Sequence, residues 1–220
     1  MRLAKKSGCG ALLVGFESMT EGGLNHYRKS LKTIDENVAA VKRLRDNGIL
    51  TMASLIFGLD SDDEDTFKYG HEFLTRSKAA FFQSCVATPY PGTPVFDKLL
   101  SEGRILTDDW SKFDTTKVNI QPLNFSPERL LEGCNDIQDS IYSNSSIMKR
   151  AFPNMKIGFS ASLLYLTLNK GYQTRLKAKK MFGVNRNEEG VPVDFDTTKY
   201  VMPYKKRVAK PVMEKEFVCV

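Results

Sequence analysis

The stretch Ala11-Leu12-Leu13-Val14-Gly15-Phe16-Glu17-Ser18 decides the fold class. It is a short unbroken apolar run that ends in two polar residues, the pattern of a strand buried on both faces of a parallel sheet. Downstream, Thr33-Ile34-Asp35-Glu36 forms a capping box, a side-chain and backbone exchange that opens a helix. Val38, Val41 and Leu44 then recur at helical spacing, and Asn47-Gly48 supplies the stop. The unit repeats. Residues 50–57 are a second apolar run, 58–64 an acidic turn, and 67–74 an amphipathic helix. Residues 80–87 are a third run, closed by the stiff turn Thr88-Pro89-Tyr90-Pro91-Gly92-Thr93-Pro94 and a short helix through Phe96, Leu99 and Leu100. Strands separated by helical crossovers predict an α/β fold with a parallel sheet and right-handed connections. A sheet of only three strands leaves the edge of its first strand unpaired.

After Asp109-Trp110 the pattern turns helical. Ser126-Pro127-Glu128 reads as N-cap, first-turn proline and acidic first turn of a helix running to about Tyr142, and a further helix is expected over 160–181. From Val184 onward the chain is polar, with Gly190, Pro192, Pro203 and Pro211, and reads as mostly disordered. The expected organisation is a barrel-like part over 1–105, a helical C-terminal extension over 106–183 and a basic tail over 184–220.

Composition narrows the function classes. With 41% apolar and 26% charged residues, the 220-residue chain reads as globular. The apolar stretch 155–168 is too short to span a bilayer and carries Lys156, so no transmembrane segment is expected. The opening MRLAKKSGCG lacks the apolar core of a signal peptide, which makes a cytoplasmic location the expectation. The net charge of +6 resides in the last 51 residues, where 12 Lys and Arg face 6 Asp and Glu. Such a tail attracts anionic surfaces when a partner exists, but the chain carries no nucleic-acid motif. Cys9, Cys85, Cys134 and Cys219 lie 76, 49 and 85 positions apart, so neither a CxxC-type metal site nor a disulfide scaffold is present. His26 and His71 lack partners for a triad, and Gly22-Gly23 lacks the spacing of a phosphate-binding loop.

In parallel α/β folds ligands bind at the carboxyl ends of strands. Three such ends stand out: Glu17-Ser18, residues 58–62, and residues 88–93. A carboxylate directly after a buried strand, as at Glu17, can accept hydrogen bonds from ribose hydroxyls or an ammonium group, and it can equally serve as a helix cap or surface ion pair. The acidic run Asp60, Asp62, Asp63 and Glu64 reads first as a solvated turn favouring the next helix. The proline-rich turn holds the backbone at the third strand end, for structure or for ligand contact. Cys85, inside the third run, reads as a small packed hydrophobe.

In series, SGCGALLVGFES (7–18), RLRDNGILTMASLIFGLDSDDEDTF (43–67), VATPYPGTPVFDKLLSEGRILTDDW (86–110) and SPERL (126–130) resemble the cobalamin-binding radical S-adenosylmethionine (SAM) family over roughly residues 1–180. The resemblance implies strands four to six of a partial (β/α)6 barrel plus a C-terminal helical extension. It places Glu17 and Ser18 against the ribose or methionyl part of SAM, Ser54 and Ile56 on the fifth-strand SAM motif, and Thr88, Pro89 and Tyr90 near adenine. The family's [4Fe-4S] cluster rests on a CxxxCxxC loop that no position here matches, and its cobalamin domain has no counterpart here. The implied reading is part of a radical SAM enzyme acting on a small molecule by methyl transfer or other radical chemistry, inactive alone and lacking its N-terminal half through truncation or a late start. The alternative is a short non-catalytic protein that binds a partner chain or an anionic surface.

Overall fold

The structure, a computed structural model, describes residues 1–20 and 33–181. The tail expected over 184–220, His26, Gly22-Gly23 and Cys219 lie outside the described residues. Helix α1 (Arg2–Lys6) precedes strand β1 (Ala11–Glu17), which leads to α2 (Ile34–Asp46), β2 (Leu50–Phe57), α3 (Glu64–Ser77), β3 (Phe81–Val86) and the short α4 (Pro94–Ser101). A single 3-10 turn (Trp110–Lys112) separates these from α5 (Pro127–Ile141), α6 (Asn144–Met155) and α7 (Phe159–Met181). Among the described residues the sheet has three parallel strands in the order β1-β2-β3.

Local chemistry explains the boundaries. Thr33 and Glu36 close the capping box of α2 reciprocally, with Glu36 N donating to Thr33 Oγ1 at 3.2 Å and Thr33 N donating to Glu36 Oε2 at 2.9 Å. At the other end, Gly48 has φ 77°, Ile49 N reaches Leu44 O at 3.0 Å and Gly48 N reaches Arg45 O at 2.8 Å. This double bond pattern is a Schellman stop, and its left-handed residue is the glycine. Ser126 caps α5 by accepting from Arg129 N at 3.1 Å, with Pro127 in the first turn.

Hydrophobic clusters cover both sheet faces. On one, Phe16, Ala53, Leu55, Phe57, Phe82 and Val86 pack against Val41 of α2, Phe73 and Leu74 of α3, and Leu130, Ile137 and Ile141 of α5. On the other, the amino-terminal half is closed by Leu50 and Phe81 against Ile147, Ala151 and Tyr165 of α6 and α7. Burial is therefore complete at the starts of β2 and β3, whereas the start of β1 is exposed, and the polar carboxyl ends are left for a site.

The outer edge of β3 is covered by side chains and loop rather than by a strand. Tyr142 Oη accepts from Phe82 N at 3.1 Å and donates to Phe82 O at 2.8 Å, and Val86 N donates to Thr115 O at 2.7 Å. Arg150, buried, ties the elements together: its guanidinium donates to the carbonyls of Ala79 (3.0 Å), Ala80 (2.9 Å) and Ile141 (2.6 Å) and to Asn169 Oδ1 (3.3 Å). Burial pulls its pKa down.

Two stretches depart from the sequence reading. Residues 102–126 are mostly irregular, crossed by one antiparallel bridge between Ile105 and Ile120; Ile105, Phe113 and Ile120 pack on α4 in a third cluster, and Val118 and Phe125 join the first. Helix α6 is not evident in the sequence, because Pro153 inside it reads as a breaker. The proline sits in the last turn, where it ends the helix and does not interrupt it.

Candidate functional site at the strand ends

The end of β1 is irregular. Register runs Gly15↔Ser54 and then Glu17↔Leu55, so one extra residue, Phe16, is accommodated opposite β2 as a bulge. Phe16 drops into the core while Glu17 takes a left-handed conformation (φ 65°), uncommon for any residue with a Cβ. The Glu17 side chain folds back over Gly15, so closely that a Cβ added to Gly15 would collide with Glu17 Oε1. Glycine at 15 is thus a steric requirement of this carboxylate position. The carboxylate occupies the space where a Gly15 side chain would point, and Gly15 pairs with Ser54, so it lies on the face shared by Ser54 and Ile56 of β2 and by Gln83 and Cys85 of β3.

On that face Ser54 is buried, Ile56 is half-buried, and Ser54 Oγ lies 3.7 Å from Cys85 Sγ. Ser18 is placed differently. It is buried, its hydroxyl accepts from Thr20 N at 3.1 Å and pairs with Thr20 Oγ1 at 3.0 Å, so it braces its own turn. At the third strand end, Thr88 Oγ1 donates to Val86 O at 3.0 Å and Pro89 is buried, whereas Tyr90 is 48% exposed and open to a ligand from solvent. The Tyr90 carbonyl accepts from Thr93 Oγ1 at 2.7 Å, and Thr93 in turn caps α4 by accepting from Phe96 N at 3.2 Å.

The acidic turn after β2 differs from the solvated run expected. Asp62 is fully buried, and its Oδ2 accepts from Gly58 N at 2.9 Å and Leu59 N at 3.0 Å, fastening the strand end from within. Burial drives its pKa up to about 6 against the pull of those two amides. Asp60 faces outward to Arg104 Nη2 at 2.6 Å and Lys98 Nζ at 2.8 Å, and the Arg104 hydrogen bond holds its carboxyl well below the usual range. Only Asp63 and Glu64 behave as helix-start acids.

Sequence reasoning overlooked Gly15, Gln83 and Cys85 as neighbours of Glu17 and Ser54. Two-residue parity along each run carried the signal, but assigning it to a face requires the register. Cys85 is half-buried at the site, and Cys134 on α5 is the cysteine packed in the core, where burial pushes its thiol up to about 12. Cys85 and Cys134 flank opposite faces of the sheet and Cys9 precedes β1, and among the described residues no three Cys, His, Asp or Glu group as a metal site. The described cysteines therefore do not fit an iron–sulfur cluster. No helix among the described residues is long and apolar enough to cross a membrane.

No family model matches the chain. It is 33% identical over 148 residues to bacteriochlorophyllide d C-12(1)-methyltransferase of Chlorobaculum tepidum, covering 67% of this chain and 32% of that protein. It is 26% identical over 133 residues to anaerobic magnesium-protoporphyrin IX monomethyl ester cyclase of Cereibacter sphaeroides (60% and 21% covered), and 26% identical over 98 residues to hopanoid C-2 methylase of Rhodopseudomonas palustris (44% and 19%). The chain thus spans about a third or less of the length of these relatives. The three similarities support a radical SAM family for this chain.

Proposed function

We propose that this chain forms three consecutive strands of a radical SAM barrel and supplies part of the SAM site of a cytoplasmic enzyme that acts on a small molecule by methyl transfer or related radical chemistry. The observation that carries the reading is the Glu17 carboxylate, folded over Gly15 onto the face of Ser54 and Ile56. SAM presents a ribose diol and an ammonium group, both donors to a carboxylate, and an adenine ring that seeks apolar cover. Glu17 would accept the former. Ile56 and the Thr88-Pro89-Tyr90 turn would border the ring. Ser18 would act indirectly, by fixing the turn that carries Glu17.

SAM bound here would supply the sulfonium whose reductive cleavage starts radical chemistry. The iron–sulfur cluster and cobalamin would be held by polypeptide other than the described residues. Two facts favour further strands beside β1: it is an edge strand among the described residues, and Leu12 and Leu13 on it are 38% and 62% exposed. The similarity to two methyl-transferring proteins favours methyl transfer over other outcomes.

Calorimetric titration of SAM into the 220-residue chain tests the reading. Glu17→Ala should weaken binding by about 1 to 3 kcal/mol, the cost of losing charge-assisted hydrogen bonds. Affinity unchanged by the substitution, or no saturable binding to either protein, would overturn it.

A further inference from the structure

Along the side of β3, a cavity of about 350 Å³ opens between Phe82 and Val86, the 115–117 loop, α5 and α7. Its size falls in the range of sites for small organic molecules. Leu131 and Leu176 supply apolar lining beside neutral polar groups such as Gln83 and Gln138, and the charged lining consists of two cations, Lys117 and Arg175, with no Asp or Glu. Among the described residues neither cation has a carboxylate within 4 Å. Two cations without a carboxylate partner among the described residues, beside a hollow lined in part by leucines, attract a molecule that is itself part anion and part hydrocarbon.

The loop that carries Lys117 is held under strain. Thr115 is β-branched yet has φ 65°, a conformation that costs about 1 to 3 kcal/mol and persists only where its surroundings enforce it. The enforcement is visible on both sides. Val86 N donates to Thr115 O at 2.7 Å, and the Asp114 carboxylate accepts from Thr116 N at 2.9 Å and Thr116 Oγ1 at 2.8 Å. The strained turn thereby presents Lys117 to the cavity from a fixed backbone.

We infer that this cavity binds an amphiphilic carboxylate, with the hydrocarbon against Phe82, Leu131 and Leu176 and the carboxylate between Lys117 and Arg175. The planar guanidinium of Arg175 suits two-point contact with a carboxylate, and Lys117 adds a mobile point charge. The inference does not rest on the SAM reading: Lys117 and Arg175 are not among its residues, although Gln83, which lines the cavity, also pairs with Ser54.

The probe is decanoate, compared with decanol, titrated calorimetrically into the 220-residue chain. Decanoate should bind one to one at least tenfold more tightly than decanol, and the double variant Lys117→Met/Arg175→Met should bind the two alike. Leu176→Trp, which fills the hollow from a half-buried helix position, should abolish binding of both. The inference is overturned if decanoate does not bind saturably, if decanol binds as well, if the double variant keeps its preference, or if Leu176→Trp binds like the unmodified chain. SAM titrated into the double variant separates the two sites, because its affinity should not change.

Discussion

Asp62 shows how one buried carboxylate shapes the molecule. It was legible in the sequence only as part of an acidic run, because charge density predicts solvation on average and says nothing about which member turns inward. In the structure it fastens the amides of Gly58 and Leu59, and its raised pKa has a definite sign. A folded-state value above the unfolded one means that its contribution to stability is full below about pH 4 and is lost as pH rises to about 6. The rise from the ordinary carboxylate value to about 6 corresponds to roughly 3 kcal/mol. Asp60, with its lowered value, works in the opposite sense and at lower pH, losing its contribution as pH falls below the usual carboxylate range. Urea unfolding across pH 4 to 7 should therefore show a fall in stability that Asp62→Asn removes, and an identical slope in the variant would assign the titration to another group. Glu17 tells a similar story: its position after an apolar run marked it as a candidate, but its return over Gly15 depends on a bulge that no local signal announced.

At the scale of elements, the helix starts were the most readable features. Thr33, Ser126 and Thr93 each precede a helix and each accepts from a backbone amide three residues on, a relation that is local in sequence and therefore visible in it. The connections between elements were not readable, and Arg150 is the clearest case. A lone arginine in a helical stretch reads as surface charge, yet here it is buried and shared among α6, the entry to β3, the end of α5 and α7. Its acceptors are neutral carbonyls and an amide, so the charge is satisfied by hydrogen bonds and not by a counter-ion. Removing it would strand those acceptors, and Arg150→Met should destabilise the fold by about 3 kcal/mol, from hydrogen bonds to a charged group worth about 1.5 to 3 kcal/mol each, partly offset by the methionine packing. The denaturant midpoint reads this directly. A change equivalent to less than about 1 kcal/mol would mean that the guanidinium is not the clamp.

For the whole molecule, the sheet is shared between two cores. Tyr165 of α7 is fully buried against Phe81, with ring centroids 6.2 Å apart, and its hydroxyl donates to Ile147 O at 2.6 Å. It belongs to the cluster opposite the one that α2, α3 and α5 build. Because both clusters grip the same strands, Tyr165→Ala should cost about 3 to 5 kcal/mol and lower the midpoint of secondary and tertiary unfolding together. Separate transitions by far- and near-ultraviolet circular dichroism would show that the helical extension unfolds alone. The sequence by itself determined the class of fold, the order of the three strands and of helices α2 to α5 and α7, and the caps at Thr33 and Ser126, because periodicity, capping and turn chemistry act between residues a few positions apart. Tertiary structure alone decided that Asp62 turns inward, that Arg150 is buried, that Glu17 shares a face with Ser54 and Cys85, and that Lys117 and Arg175 border one cavity. Those outcomes depend on register, on a bulge and on which helix covers which face, and each is fixed by contacts between residues far apart along the chain.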